Sequence, residues 1–211
     1  MDLDEARTRI LDAAEKLFYD RGIQSVGMDE LRTAAGVSLK RLYQCFPAKQ
    51  DLVEAYLRRR DTRWRAALAE YVDAQADVPA DGPAARPLAV FDWLYGWFSG
   101  PGFRGCAFIN AFGELGATSD GVSRAAGEHK GALLSYLTDI ARGVPVPQPE
   151  AVAGQLALLV DGAITTAAIT RDPDAARRAR AAAETLVGAA GAGVGAGAGA
   201  SASTRGSSPR G

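Results

Sequence analysis

The chain is poor in the residues that chemistry depends on, with two cysteines and a single histidine in 211 residues. Cys45 and Cys106 are too few for a disulfide framework and stand in no paired Cys/His spacing. Thiols are therefore the expected state, and neither a zinc site nor an oxidising compartment is expected. No phosphate-cradling glycine loop or metal motif is present, so no cofactor, metal or catalytic residue is expected. Long apolar runs are missing as well. The stretch from Leu156 to Ile169 is broken by Asp161, Gly162 and threonines, short of the roughly 20 residues that span a bilayer. The opening residues, Met1-Asp2-Leu3-Asp4-Glu5, are acidic where a secretory signal carries basic ones. Together these features predict a cytoplasmic protein with no membrane partner. A general excess of positive charge is lacking too, the formal net charge being -1, which argues against a protein that coats nucleic acid.

What is present is apolar bulk, 47% of the residues, enough for one helical body and a small head. Charge is also unevenly placed. From Met1 to Glu30, four basic residues face eight acidic ones, whereas from Leu31 to Arg60 seven basic residues (Arg32, Lys40, Arg41, Lys49, Arg58, Arg59, Arg60) face only Asp51 and Glu54. That local excess suits a polyanion. For Arg58-Arg59-Arg60 a solvated face is the favoured reading, with long-range attraction as the alternative.

Helical periodicity runs through the chain, and no alternating strand pattern appears. Leu3, Ala6, Ile10, Ala13 and Leu17 mark a helix over residues 3 to 20, stopped by Gly22. Gly27 precedes a short helix from Met28 to Ala35, with Asp29 and Glu30 at its positive end. Gly36-Val37-Ser38 then forms a tight turn, and Ser38 caps a third helix that starts at Leu39 and ends at Pro47. A long helix follows to about Ala74, and then a loop over 75 to 83. Further helices are expected near 84 to 98, 106 to 117, 120 to 142, 149 to 170 and 173 to 187. The fold class is all-α, with about nine helices. The expected domains are a DNA-binding head over 1 to 48, a ligand-binding and dimerisation body over 49 to 187, and a Gly/Ala/Ser-rich disordered tail over 188 to 211.

Two short helices joined by a glycine turn, the second bearing paired cations, can set one helix across a DNA backbone and the other in the major groove. Leu31, Ala34, Val37, Leu42 and Phe46 would lock the pair together. Ser38, Lys40, Arg41, Tyr43 and Gln44 then remain for contact with bases and phosphates. The run Ala35-Gly36-Val37-Ser38-Leu39-Lys40-Arg41-Leu42-Tyr43-Gln44-Cys45-Phe46-Pro47-Ala48-Lys49-Gln50-Asp51-Leu52 resembles the head of the TetR family. The resemblance covers residues 5 to 57 and is architectural beyond them. It implies that Tyr43 and Lys49 hold phosphate and that Lys40 and Arg41 face the groove. For Tyr43 a half-buried ring is an equal alternative. Gly27 stands where the family often has a capping Thr or Ser, Arg32 replaces a usually small residue, and Lys40-Arg41 replaces a common small pair. These departures suggest a changed operator sequence, while Cys45, where His is frequent, takes a packing role.

Beyond residue 84 aromatics are dense, which suits an apolar ligand pocket with a few placed polar groups. The expected ligand-binding residues are Trp93, Trp97, Phe108, Asn110, Phe112, Glu114, Asp161 and Thr165. For each aromatic, plain core is the competing role, and His129 between Glu128 and Lys130 reads as a surface residue. Gly105-Cys106-Ala107-Phe108-Ile109-Asn110-Ala111-Phe112 is similar to a stretch in one branch of TetR-like regulators, some of which answer to aromatic or drug-like compounds. Buried packing is the favoured role of Cys106, ahead of redox sensing. Val152, Leu156, Leu159, Ala163 and Ala167 form one apolar stripe on the helix near 149 to 170, and Leu158, Thr165 and Ile169 form another. A helix apolar on two faces needs a second partner. By the resemblance this helix and that near 173 to 187 form a homodimer interface, and the dimer binds a palindromic operator in double-stranded DNA. The expectation is a repressor released by a small apolar or aromatic effector. A helical enzyme built on Glu114, His129 and Asp161 lacks any recognisable catalytic spacing, and a protein-binding adaptor leaves the head pattern unexplained.

Overall fold

The structure, a computed structural model, describes residues 1–75, 82 and 84–198, with the backbone alone over 189–198. Nine α-helices and no strand occur among the described residues, as the periodicity predicts. The helices are α1 (Leu3–Arg21), α2 (Met28–Ala35), α3 (Leu39–Cys45), α4 (Lys49–Ala74), α5 (Ala85–Ser99), α6 (Ala107–Leu115), α7 (Asp120–Ala141), α8 (Pro149–Thr170) and α9 (Asp174–Ala198). The helix expected to stop at 187 continues to Ala198, where alanine, the strongest helix former, alternates with glycine. The expected loop over 75 to 83 falls largely outside the described residues, and so does the stretch 199–211 of the expected tail.

Local chemistry sets the head. Asp2 caps α1 by accepting from the Glu5 amide at 2.7 Å. α2 begins at Gly27 without any side-chain cap. Gly36 takes the left-handed conformation, φ 65, and its amide and that of Val37 bond back to Thr33 and Arg32 carbonyls. The chain thereby turns within two residues, and Ser38 accepts from the Arg41 amide at 3.2 Å to start α3. Leu31, Leu42 and Phe46 meet Ile10 and Phe18 of α1 in a sealed core. Each such burial contributes about 1.5–3 kcal/mol.

α4 belongs to both parts, packing on α1 at its first half and on α5 and α7 further along. In the body, α8 packs between α7 and α9, while α6 lies on α7. The inner face of α8 carries Val152, Leu156, Val160, Ala163, Ile164 and Ala167, and its outer face leaves Leu158 and Ile169 about three-quarters exposed at 74% and 77%. By length and composition α8 could cross a membrane. Its burial against neighbours and the pairing of Asp161 near its middle with Lys130 match the core helix of a globular body.

Candidate nucleic-acid interface and ligand chamber

α3 presents the residues expected to touch DNA. Lys40, Tyr43 and Gln44 are exposed, with Tyr43 at 46%, so the ring that the sequence left between two roles lies open on the surface. Arg41 is half-buried, and among the described residues neither Lys40 nor Arg41 meets a carboxylate. Both cations are uncommitted. Ser38 is already engaged as the cap of α3, though its oxygen still has acceptor capacity. Lys49 is turned inward instead, with Nζ donating to the Ile23 carbonyl at 2.6 Å and lying over the Phe18 ring. Burial pulls its pKa below the ordinary value, and the Glu114 carboxylate offsets part of that effect. Arg59 and Arg60 depart from the expected solvated face. Their side chains are 17% and 13% exposed and pair with Asp12 and Glu15 of α1, and the Arg60 guanidinium also covers the Tyr19 ring. The acidic surplus of α1 thus neutralises much of the basic surplus on α4, leaving α3 as the open positive feature of the head.

The body holds an aromatic cluster. Trp64 of α4 meets Trp93 and Trp97 of α5 at centroid separations of 5.1 and 5.7 Å, and Trp97 meets Phe103 at 5.0 Å. Phe108 of α6 stacks flat on His129 of α7, 3.8 Å apart and tilted by 6°. His129 is only 3% exposed, so the surface role expected for it is incorrect. The missed signal was its register. Val122, Ala125, Leu133, Leu137 and Ile140 form the buried stripe of α7, and position 129 lies on that stripe. His129 Nδ1 donates to Asp61 at 2.7 Å, and Asp61 is also held by two hydrogen bonds from Arg65. Burial drives the His129 pKa below its ordinary value, and the Asp61 bond recovers only part. At Asp61 burial alone would raise the pKa, but the bonds from Arg65 and His129 outweigh it and hold the carboxyl below its usual range. Neutral His129 keeps Nε2 as an acceptor. The Trp64 indole N–H is buried without a partner among the described residues.

Space inside this cluster is scarce. Between Trp64, Trp97, Cys106, Phe108, His129 and Ile164 only about 10 Å³ is open, while beyond the Phe108–His129 stack an opening of about 210 Å³ lies beside Asp61 and Leu57. Of the eight residues expected to bind a ligand, Trp93, Trp97 and Phe108 lie in this one cluster. The other five expected residues lie elsewhere. Asn110 donates to the Arg104 carbonyl, Phe112 is 54% exposed, Asp161 pairs with Lys130 and Thr165 is exposed on α8. Glu114 serves the joint between head and body. Its carboxylate accepts from the Ile23 and Gln24 amides at 3.0 and 2.8 Å, and Gln24 Nε2 donates back to the Glu114 carbonyl. Gly22, with φ 86, permits that approach, since a Cβ there would lie 3.1 Å from a Glu114 oxygen. Tyr19 of α1 makes a second tie, donating to the Gly105 carbonyl at 2.8 Å and accepting from the Arg104 amide at 2.9 Å. Cys106 is buried, in keeping with packing.

Known proteins place this architecture. The family described as bacterial regulatory proteins, tetR family, matches residues 10–56. The transcriptional activator FasR of Mycolicibacterium smegmatis is 48% identical over 56 residues, which cover 26% of each chain. The match thus spans about a quarter of that curated relative's length. Solved structures extend the likeness to the body. A TetR-family transcriptional regulator from Streptomyces coelicolor is 31% identical, with a TM-score of 0.77 over 89% of this chain and 97% of its own. A TetR-type regulator from Streptomyces avermitilis is also 31% identical, with a TM-score of 0.73 over 88% and 97%. With the head motif, the nine-helix order and full-length relatives in agreement, the chain belongs to the TetR family of bacterial transcriptional regulators.

Proposed function

We propose that this regulator, a DNA-binding protein and not an enzyme, acts in the cytoplasm as a homodimeric repressor of a palindromic operator, released by a small aromatic or apolar effector. The observation that carries the reading is the placement of α6. One end of this helix holds Phe108 against His129 in the aromatic chamber, and six residues later Glu114 holds the turn between α1 and α2. A helix of this length moves as a rod, about 1.5 Å per residue. An effector passing from the opening beside Asp61 into the ring cluster must displace Phe108, because only about 10 Å³ is open behind the Phe108–His129 stack. Displacing Phe108 shifts Glu114 and loosens the head. The effector-free form is then the one that binds DNA, which makes the protein a repressor even though its head is similar to that of an activator. The proposed effector contacts are Trp64, Trp93, Trp97, Phe108 and His129.

For DNA, Lys40 and Arg41 face base edges, Tyr43 and Gln44 flank them, the amide end of α3 near Ser38 holds a phosphate, and Lys49 swings from Ile23 to a second phosphate. For the dimer, the outer face of α8 with Leu158 and Ile169, beside α9, meets its symmetry mate. The test is binding to duplexes selected from a random pool, followed by titration with aromatic compounds that quench tryptophan fluorescence. A preference of ~1,000-fold over scrambled duplex, two chains per site and release of DNA by a quenching compound are expected. Equal weak binding to all duplexes would sink the reading. Leu158→Glu with Ile169→Glu should give a monomer by light scattering, and a persistent dimer would place the interface elsewhere.

A further inference from the structure

A cleft of about 510 Å³ lies apart from the aromatic chamber, lined by Phe98, Phe103, Arg104, Ala167, Ala168 and Arg171 among others. Its size falls in the range of small-molecule sites. Its chemistry is specific. The Arg104 guanidinium donates only to the neighbouring Phe103 carbonyl, and among the described residues neither Arg104 nor Arg171 meets a carboxylate. The nearest acid in sequence, Asp172, is committed to the Asp174 amide and to Arg178. Arg171 also ends α8 in a left-handed conformation, φ 57, one that favours glycine or asparagine and is uncommon for arginine. Two planar cations that meet no carboxylate among the described residues, beside two phenylalanines and two alanines, complement one class of molecule.

We propose that this cleft binds an amphipathic organic anion, with its carboxylate, sulfonate or phosphate head held by Arg104 and Arg171 and its apolar body against Phe98, Phe103 and Ala168. Guanidinium forks bind such oxyanions through paired N–H bonds, and the rings supply apolar area. The site also bears on the head. The Arg104 amide donates to Tyr19 of α1, and Gly105, whose carbonyl takes the Tyr19 proton, packs so closely on α8 that a Cβ there would lie 3.0 Å from the Ala168 methyl. An occupant pressed between Arg104 and Ala168 therefore touches the segment that ties α1 to the body. The inner rings of the aromatic chamber, Trp64, Phe108 and His129, do not line the cleft, and its occupancy does not require them to move.

The test uses two probes that share a ring system. 1-Anilinonaphthalene-8-sulfonate carries the anion, and N-phenyl-1-naphthylamine lacks it. Saturable binding of the sulfonate to the full chain is expected, with at least tenfold weaker binding by Arg104→Gln with Arg171→Asn and near-normal binding by Arg171→Lys. Asparagine suits the left-handed position, so the double variant should keep the wild-type melting curve. The neutral probe should be indifferent to both arginines, and Phe108→Ala, in the aromatic chamber and outside the lining of the cleft, should leave sulfonate binding intact. No saturable sulfonate binding, retention within twofold by the double variant, or loss through Phe108→Ala alone would each overturn the proposal.

Discussion

Head and body handle their polar side chains in opposite ways. On α3 the proposed DNA contacts Lys40, Tyr43 and Gln44 stand outside, and the residues behind them, Leu31, Leu42 and Phe46, are sealed. On α3 no side chain has to leave a partner before it meets a duplex; in the head Lys49 alone is proposed to swing, away from the Ile23 carbonyl. In the body the informative polar groups face inward. His129, Asp61 and the Trp64 indole sit among rings with about 10 Å³ of open space, so a ligand must rearrange what it binds. One surface is open and the other is closed, and the proposed function therefore assigns the conformational response to the body and its passage to the head to the joint at Glu114.

The largest test of the comparison strikes the head's core. Phe46→Ala should cost about 3–5 kcal/mol, measured by denaturant unfolding, and should abolish DNA binding. Phe112→Ala, at a ring 54% exposed on α6, should stay within about 0.5 kcal/mol of wild type. Next in size, Arg41→Ala should lose about 1–3 kcal/mol on a matched duplex and much less on a scrambled one, whereas Lys40→Ala tests whether the neighbouring cation reads bases or phosphate. Equal losses on all DNA would assign both to the backbone.

A smaller effect should follow pH and belongs to the body alone. The folded chain holds His129 below its ordinary pKa, so the unfolded chain binds that proton more readily. Stability from this site is complete above about pH 6.5 and is lost as pH falls toward the folded value. The Asp61 carboxyl is held low and titrates well below this window. The thermal midpoint should therefore drop between pH 7 and pH 5, and His129→Gln should flatten that drop. Smallest of all, removing the exposed Arg9–Glu5 pair of α1 should change stability by no more than about 0.5 kcal/mol.

The same contrast explains what could be read from the sequence. Helix boundaries from α1 to α8 and the turn at Gly36 rest on local signals, caps, glycines and prolines, and the structure follows them within a few residues. The exposure of Lys40 and Gln44 was legible for the same reason, since a helix packed through Leu42 and Phe46 leaves those positions outward, whereas Tyr43, a ring that suits either place, was left open until the structure put it outside. Partners distant in sequence were not. Arg59 with Glu15, His129 with Asp61 and Glu114 with the Ile23 amide are separated by 44, 68 and 91 positions. Periodicity places a residue on a face and does not name what meets it. The burial of His129 was within reach, because the apolar stripe on α7 runs through position 129, but its charged neighbours Glu128 and Lys130 drew the reading to the surface.

The claim that α6 couples chamber and head is tested most directly by amide hydrogen exchange in Phe108→Ala and wild-type protein, read at Ile23 and Gln24 and, as a control, at the amides of α1. Faster exchange at Ile23 and Gln24 by about tenfold or more, with α1 unchanged, is the expected result, since Glu114 would no longer be held against those amides. Unchanged protection at Ile23 and Gln24, or a uniform rise across the head, would show that displacement in the chamber does not travel through Glu114.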